Sequence, residues 1–188
     1  MDARAEAARQ NGERILDAMV ALFAEQPTER IRLDDVAERA GVTVQTVIRR
    51  YSGKDGLIAA AGAREVKRVA AQRPFDTADD LELTLTNLVD HYEEYGDVAL
   101  KILAEEPRIP AVAELAKSGR RFHRRWCAAV FAPTLDGLSG VTRDRRLAQL
   151  VAVCDVYMWK LLRRDGGLSR RQLELGLTEL VTPLLKEP

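Results

Sequence analysis

Between Gly41 and Lys54 the chain reads GVTVQTVIRRYSGK, a stretch with Arg49, Arg50 and Lys54 as cations and no acid. Arginine and lysine at a helix end neutralise phosphate, which supplies most of the affinity of a nucleic-acid reader. A small polar residue at the helix start, here Thr43, bonds phosphate without holding the helix away from it. Gln45 and Arg49 share one face, with Arg50 beside them. Arginine pairs with guanine and glutamine with adenine in the major groove. Two arginines on an isolated helix are more often solvated surface charge, so this reading depends on the elements around them. Ile48 has two readings. Either it packs against the first helix, which is the preferred one, or it touches a thymine methyl. Val44 has the better claim on such a methyl.

A second set of residues suits a small molecule. His91, Tyr92, Phe122, His123, Trp126, Tyr157 and Trp159 lie in long apolar segments, with Asp155 as a carboxylate among them. Together they suggest a cavity with a few polar anchors. The competing account makes each aromatic a core residue and pairs Asp155 with Arg121, Arg124 or Arg125. His123 and Cys127 stand four apart on one helix face, a spacing open to a metal pair. They are read as pocket or core residues, since only His91 and Asp155 are distant further ligands. The chain has two histidines, two cysteines, no recognisable nucleophile motif and no phosphate loop. No enzyme, cofactor or metal is expected.

The elements that must position these residues all read as helix, an all-α chain. Helical apolar spacing marks residues 13–25, 33–40, 44–51 and 54–71. Gly41 ends the second of these and Thr43 caps the third. A short helix, a glycine turn and a second short helix form a helix-turn-helix. The sequence QRPFDTADD, residues 72–80, marks a change to longer helices at 78–95, 98–105, 111–131 and 143–164, with APTLDGLSG as a loop. Ser169 and Gln172 open a last helix running to about residue 185, which Pro183 kinks or ends. The expected division is a helix-turn-helix domain of three helices over 1–56 and a helical ligand-binding and dimerisation domain over 57–188. Segment 143–164 is apolar around most of its circumference, and Leu173, Leu177, Leu180 and Leu184 form a seam. With Leu150 and Leu161 these point to a homodimer through an intermolecular four-helix bundle.

Composition sets bounds. The chain has 188 residues, is 46% apolar and carries a formal net charge of +0, so only local charge speaks for nucleic acid. Cys127 and Cys154 imply no disulfide framework and fit a reducing compartment. The first residues lack the apolar core of a secretory signal, and no apolar run is long enough to span a bilayer. A cytoplasmic protein with no membrane partner is expected. The acidic run 76–97 and the basic runs GRRFHRRW and LLRRDGGLSRR are read as helix faces that neutralise one another.

The segments RILDAMVALFAEQ, LDDVAERAGVTVQTV and YSGKDGL resemble the N-terminal domain of the tetracycline-repressor (TetR) family of bacterial transcription regulators. The pattern covers residues 14–57; the rest is similar in architecture only. The resemblance implies that Thr43 contacts phosphate, that Val44 and Gln45 face base edges, and that Thr46 lies near the DNA backbone. It implies that Lys54 pairs with a phosphate and that Tyr51 stands for a core phenylalanine. Ile48 replaces a usual tyrosine, Arg50 a histidine or tyrosine, Pro27 a glycine and Arg32 a threonine cap. The arginines at 32, 49 and 50 are candidate compensation for the hydroxyl lost at 48. The implied function is a regulator, a repressor, that binds a palindromic double-stranded DNA operator as a homodimer and is released by a small-molecule effector. The alternative is a sensor or interaction protein of this fold that has lost specific DNA binding.

Overall fold

A computed structural model of the chain describes residues 2–73 and 80–186, so most of the QRPFDTADD boundary lies outside the described residues. Among the described residues the secondary structure is helical, with no strand. The chain divides into two compact units, one of Met1–Lys67 with Ala104–Leu115 and one of Arg68–Leu103 with Ala116–Pro188.

The first unit opens with α1 (Asp2–Glu25), followed by a single 3-10 turn (Thr28–Arg30), α2 (Leu33–Ala40), α3 (Val44–Tyr51) and the start of α4 (Lys54–Gln72). The apolar stripe of α1, with Ile15, Met19, Leu22 and Phe23, is buried against Val36, Ala37 and Ala40 of α2, Val47 of α3 and Leu57 and Ile58 of α4 in one small core. The α2–α3 turn follows from Gly41, whose φ of 64° is open to glycine at little cost. The Gly41 and Val42 amides donate to Glu38 and Ala37 carbonyls at 3.1 and 3.0 Å, closing the end of α2. At the far end of α3, Ser52 adopts the left-handed conformation and its amide donates to the Ile48 carbonyl at 2.8 Å.

The second unit takes in the end of α4, most of α5 (Leu81–Glu105), most of α6 (Pro110–Val130), α7 (Ala132–Asp136), α8 (Gly140–Val153), α9 (Val156–Trp159), a π-helical stretch (Lys160–Asp165) and α10 (Arg170–Leu185). Its core joins Leu85, Leu88 and Val89 of α5 to Trp126 and Val130 of α6, Leu147 and Leu150 of α8, Trp159, and Leu173 and Leu177 of α10.

Four sequence expectations are corrected here. Residues 81–105 form one helix rather than two, because Gly96 is not a break: it sits under the buried Trp159 ring, where a Cβ would come within 2.6 Å of Trp159 Cζ3. The expected helix over 143–164 is interrupted after Val153, and Asp155 caps a new start by accepting from the Tyr157 amide at 2.9 Å. The expected loop after Phe131 holds the short α7, with Pro133 in its first turn where no amide is needed. The leucine seam is largely spent inside the chain: Leu150, Leu173 and Leu177 are core residues and Leu184 packs on that core. A side chain enclosed by its own chain cannot meet a partner subunit. Only Leu161 and Leu180 of that set stay exposed, at 56% and 42%. Pro183 lies inside α10 without ending it. The acidic face of α5 meets basic residues as expected, with Glu93–Arg163 at 2.9 Å, Asp97–Arg164 at 3.0 Å and Asp90–Arg170 at 2.7 Å.

Two glycine substitutions test this packing. Both sites are helical, so alanine gains helix propensity at each. At exposed Gly119 nothing lies within 4 Å of the added methyl, and Gly119→Ala stabilises by ~0.5–1 kcal/mol. At Gly96 the methyl meets the Trp159 ring, and overpacking of ~1–3 kcal/mol outweighs the gain. Denaturant midpoints that rise for both variants would show that Trp159 does not occupy that position.

Candidate nucleic-acid interface and a buried polar cluster

The start of α3 is built by two threonines. Thr43 Oγ1 accepts from the Thr46 amide at 3.2 Å and lies 2.9 Å from Thr46 Oγ1, so the first turn is capped and its hydroxyls are fixed together. Val44 is half-buried beside them. Gln45, Ile48 and Arg49 follow at i, i+3 and i+4, and all three are exposed on one face of α3. Among the described residues Arg49 makes no hydrogen bond or ion pair. The preferred sequence reading of Ile48 is corrected: it is 41% exposed and lies outside the core, because Val47 alone of this helix is buried.

The other cations are used differently. Arg50 turns back onto α1, where its Nη1 donates to the Ala8 carbonyl at 2.9 Å and its Nε to the Tyr51 hydroxyl at 3.2 Å. Tyr51 in turn donates to the Gly12 carbonyl at 3.1 Å. The guanidinium occupies the space above Gly12, within 2.3 Å of where a Cβ would stand. The arginine is a strut between α3 and α1, and Tyr51 is half-buried with a working hydroxyl, a role phenylalanine lacks. Lys54 donates from Nζ to the Thr28 carbonyl at 2.5 Å and reaches the Glu29 carbonyl at 3.4 Å. The turn it holds is gripped again by Glu105, which accepts from the Thr28 amide at 3.3 Å, and by Arg108, 3.2 Å from Glu29. Arg32 pairs with Asp34 at 3.1 Å on the surface, while Asp35 caps α2 by accepting from the Arg32 amide at 3.1 Å.

In the second unit, five of the residues expected around a small molecule come together, and a residue the sequence reading passed over joins them. Arg73 is 3% exposed. Its Cζ lies 4.1 Å from the centroid of the Trp126 ring and 5.6 Å from that of Phe122. Its Nη2 is 3.5 Å from His123 Nδ1. His123 Nε2 lies 3.0 Å from the Val151 carbonyl, which fixes the proton on Nε2 and leaves Nδ1 as an acceptor toward Arg73. Tyr92 donates to the Cys154 carbonyl at 2.8 Å, and burial pushes its phenol far up, so it stays neutral. His91 lies tilted against the Tyr92 and Tyr95 rings, with its Nδ1 buried and unpartnered. Burial first, then the charge of Arg73, hold the His91 imidazole down to about 3. Trp159 adjoins the cluster through Tyr92, their ring centroids 6.2 Å apart, and donates from Nε1 to Glu93 at 3.0 Å. Two placements are corrected. Tyr157 is 52% exposed, because the break before α9 rotates it to the surface. Asp155 is the α9 cap and, among the described residues, forms no ion pair with Arg121, Arg124 or Arg125. No sequence signal marks Arg73, which follows α4 as one more basic residue before Pro74.

Two outcomes follow. Thr43→Ala removes the α3 cap and lowers stability by ~1 kcal/mol, whereas Thr43→Ser retains most of it; equal urea midpoints for both would deny the cap. The second concerns pH. The folded-state pKa of His91, about 3, lies below its ordinary 6.5, so the unfolded chain takes up the proton first. Stability is therefore full above pH ~6.5 and declines as pH falls toward 3. Urea midpoints measured from pH 7.5 to 4.5 should fall less steeply for His91→Gln than for the natural chain.

Comparison with known proteins places this geometry. Residues 15–61 match the model described as bacterial regulatory proteins, tetR family. The HTH-type transcriptional repressor KstR of Mycolicibacterium smegmatis is 39% identical over 67 residues, which cover 36% of this chain and 33% of that protein. The match thus spans about a third of the length of such relatives. A transcriptional regulator from Rhodococcus sp. RHA1 shares the fold over 93% of this chain and 95% of its own, with a TM-score of 0.70 at 22% identity. The Saccharomonospora viridis protein solved in complex with choline does so over 95% and 96%, with a TM-score of 0.65 at 20% identity. Residues 15–61, which contain α2, the Gly41 turn and the capped α3, are thus similar to the tetR family of bacterial regulatory proteins.

Proposed function

We propose that the chain is a ligand-responsive transcriptional repressor that binds a palindromic DNA operator as a homodimer. The observation that carries this reading is the exposed face of α3. Gln45, Ile48 and uncommitted Arg49 stand beside the capped N-terminus, on a helix whose inner face is buried at Val47. A helix held this way presents its start to the major groove. Gln45 and Arg49 supply hydrogen-bonding groups for base edges or phosphate, and Ile48 supplies an apolar contact for a thymine methyl. Thr43, Thr46 and Lys54 serve the phosphate backbone. Lys54 does so at the turn it already grips, where one ammonium has donors to spare. Arg32 lies at the entry to α2 and Arg50 supports α3 from behind.

Two copies place two such helices on half-sites one helical turn apart, ~34–36 Å. Leu161, Leu180 and Tyr157 are among the exposed apolar residues of the second unit that could serve that dimer. An effector bound within the second unit releases DNA by favouring a dimer of different spacing, which requires unequal affinity for the two states. The structural neighbour solved with choline supports a small-molecule role for this fold.

The test is binding to the DNA upstream of its own gene, measured by fluorescence anisotropy against nonspecific competitor over a range of salt. Specific, salt-dependent binding is expected. Arg49→Ala should weaken it by roughly tenfold, for a loss of about 1–2 kcal/mol, and lower the salt slope by about 1 if it binds phosphate. Unchanged affinity and slope would favour a sensor or interaction protein that has lost DNA binding.

A further inference from the structure

Within the second unit a cation is buried with no anion beside it among the described residues. Arg73 cannot give up its proton under ordinary conditions, and its Nε has no hydrogen-bond partner. The Trp126 and Phe122 rings and the neutral His123 imidazole stabilise the guanidinium without neutralising it. Tyr92 gives its proton to the Cys154 carbonyl and is no counter-ion. Asp155, the acid felt electrostatically by Tyr92 and His123, caps α9 instead of pairing with Arg73. A second buried nitrogen, His91 Nδ1, is also unpartnered. Burying a charge in this way is costly unless something pairs with it.

We propose that Arg73 anchors the carboxylate of a small apolar acid, with His91 as a further polar contact and Trp126 and Phe122 against the acid's body. This inference rests on the reading of the second unit as the effector-binding part. The unpartnered Nε and its neighbouring terminal nitrogen form the fork that a planar carboxylate fits with two parallel hydrogen bonds. A single cation among aromatic rings suits one negative charge. A phosphate dianion would ask for a second cation, which this cluster of Arg73, His91, Tyr92, His123 and Trp126 does not supply. The same charge disfavours a quaternary ammonium such as choline.

The full-length protein, without DNA, is titrated with octanoate, hexanoate and benzoate, with octanamide, hexanamide, benzamide and choline as controls. Calorimetry and thermal unfolding are the readouts. At least one carboxylate should bind and, at about 100 times its Kd, raise Tm by roughly 5–10 °C. The matching amide should bind at least tenfold more weakly, and choline should give no shift. Arg73→Met, an apolar replacement of similar length, should melt at or above the natural chain without ligand and lose the carboxylate shift. The proposal is overturned if amide and acid bind alike, if the shift survives in Arg73→Met, or if no carboxylate shifts Tm up to about 10 mM. It is also overturned if ligand-free Arg73→Met melts several degrees lower, since the arginine would then be paired within the chain. Operator binding is measured separately. A failed carboxylate titration with intact DNA binding refutes this inference alone, and lost DNA binding with an intact carboxylate shift refutes the repressor reading alone.

Discussion

The pose of α3 rests on side chains from its C-terminal end that close onto backbone carbonyls. Tyr51 reaches Gly12, Arg50 reaches Ala8, and Lys54 reaches Thr28. A carbonyl retains acceptor capacity after its helical bond is made, so a donor can take it without breaking the helix. Each of these ties costs side-chain entropy and returns a modest net energy. Their value lies in direction. An eight-residue helix is marginal by itself and has only Val47 fully buried to hold it. Ties at its far end set its rotation about its own axis, and that rotation decides which residues face outward.

Three cations cluster in sequence at the end of α3, and the structure gives them three uses. Arg50 is spent on α1, and Lys54 is engaged with the 3-10 turn while holding further donors. Arg49 is left on the outward face. Sequence reading could place all three on or near a helix end, because helical spacing fixes angular position. It could not choose among them, because the choice depends on what α1 offers one turn away. Gly12 is the deciding residue: lacking a Cβ, it leaves the room that the Arg50 guanidinium fills. A glycine at that point reads in the sequence as a weak spot in a helix, not as a socket.

The same limit explains the second unit. Periodicity places its helices and most of its core, and His91, Tyr92, Phe122, His123 and Trp126 lie near one another in the structure. It erred where a polar or small residue plays an unexpected local part. Gly96 continues a helix because Trp159 needs its space, and Asp155 interrupts one because its carboxylate caps a new first turn. The leucine spacing of α10 is real, but spacing cannot say whether the facing surface belongs to the same chain or another. Burial of Leu173 and Leu177 answers that for the inner half of the seam.

Arg73 was invisible for a related reason. A basic residue next to Pro74 at the close of a helix normally reaches solvent, and local sequence gives no sign that this one turns inward. What turns it inward is a set of rings from α6, with Trp126 and Phe122 offering negative π faces. The neutral tautomer of His123 adds an acceptor, held in that form by the Val151 carbonyl. These contacts are enough to orient a guanidinium but leave its charge in place. Such a site holds a fixed positive charge in a region where water is scarce, so an added anion interacts with it more strongly than it would at a surface. Under the carboxylate proposal, the arrangement that costs the unliganded chain stability is also the one that would select acids over amides and ammonium ions of like shape.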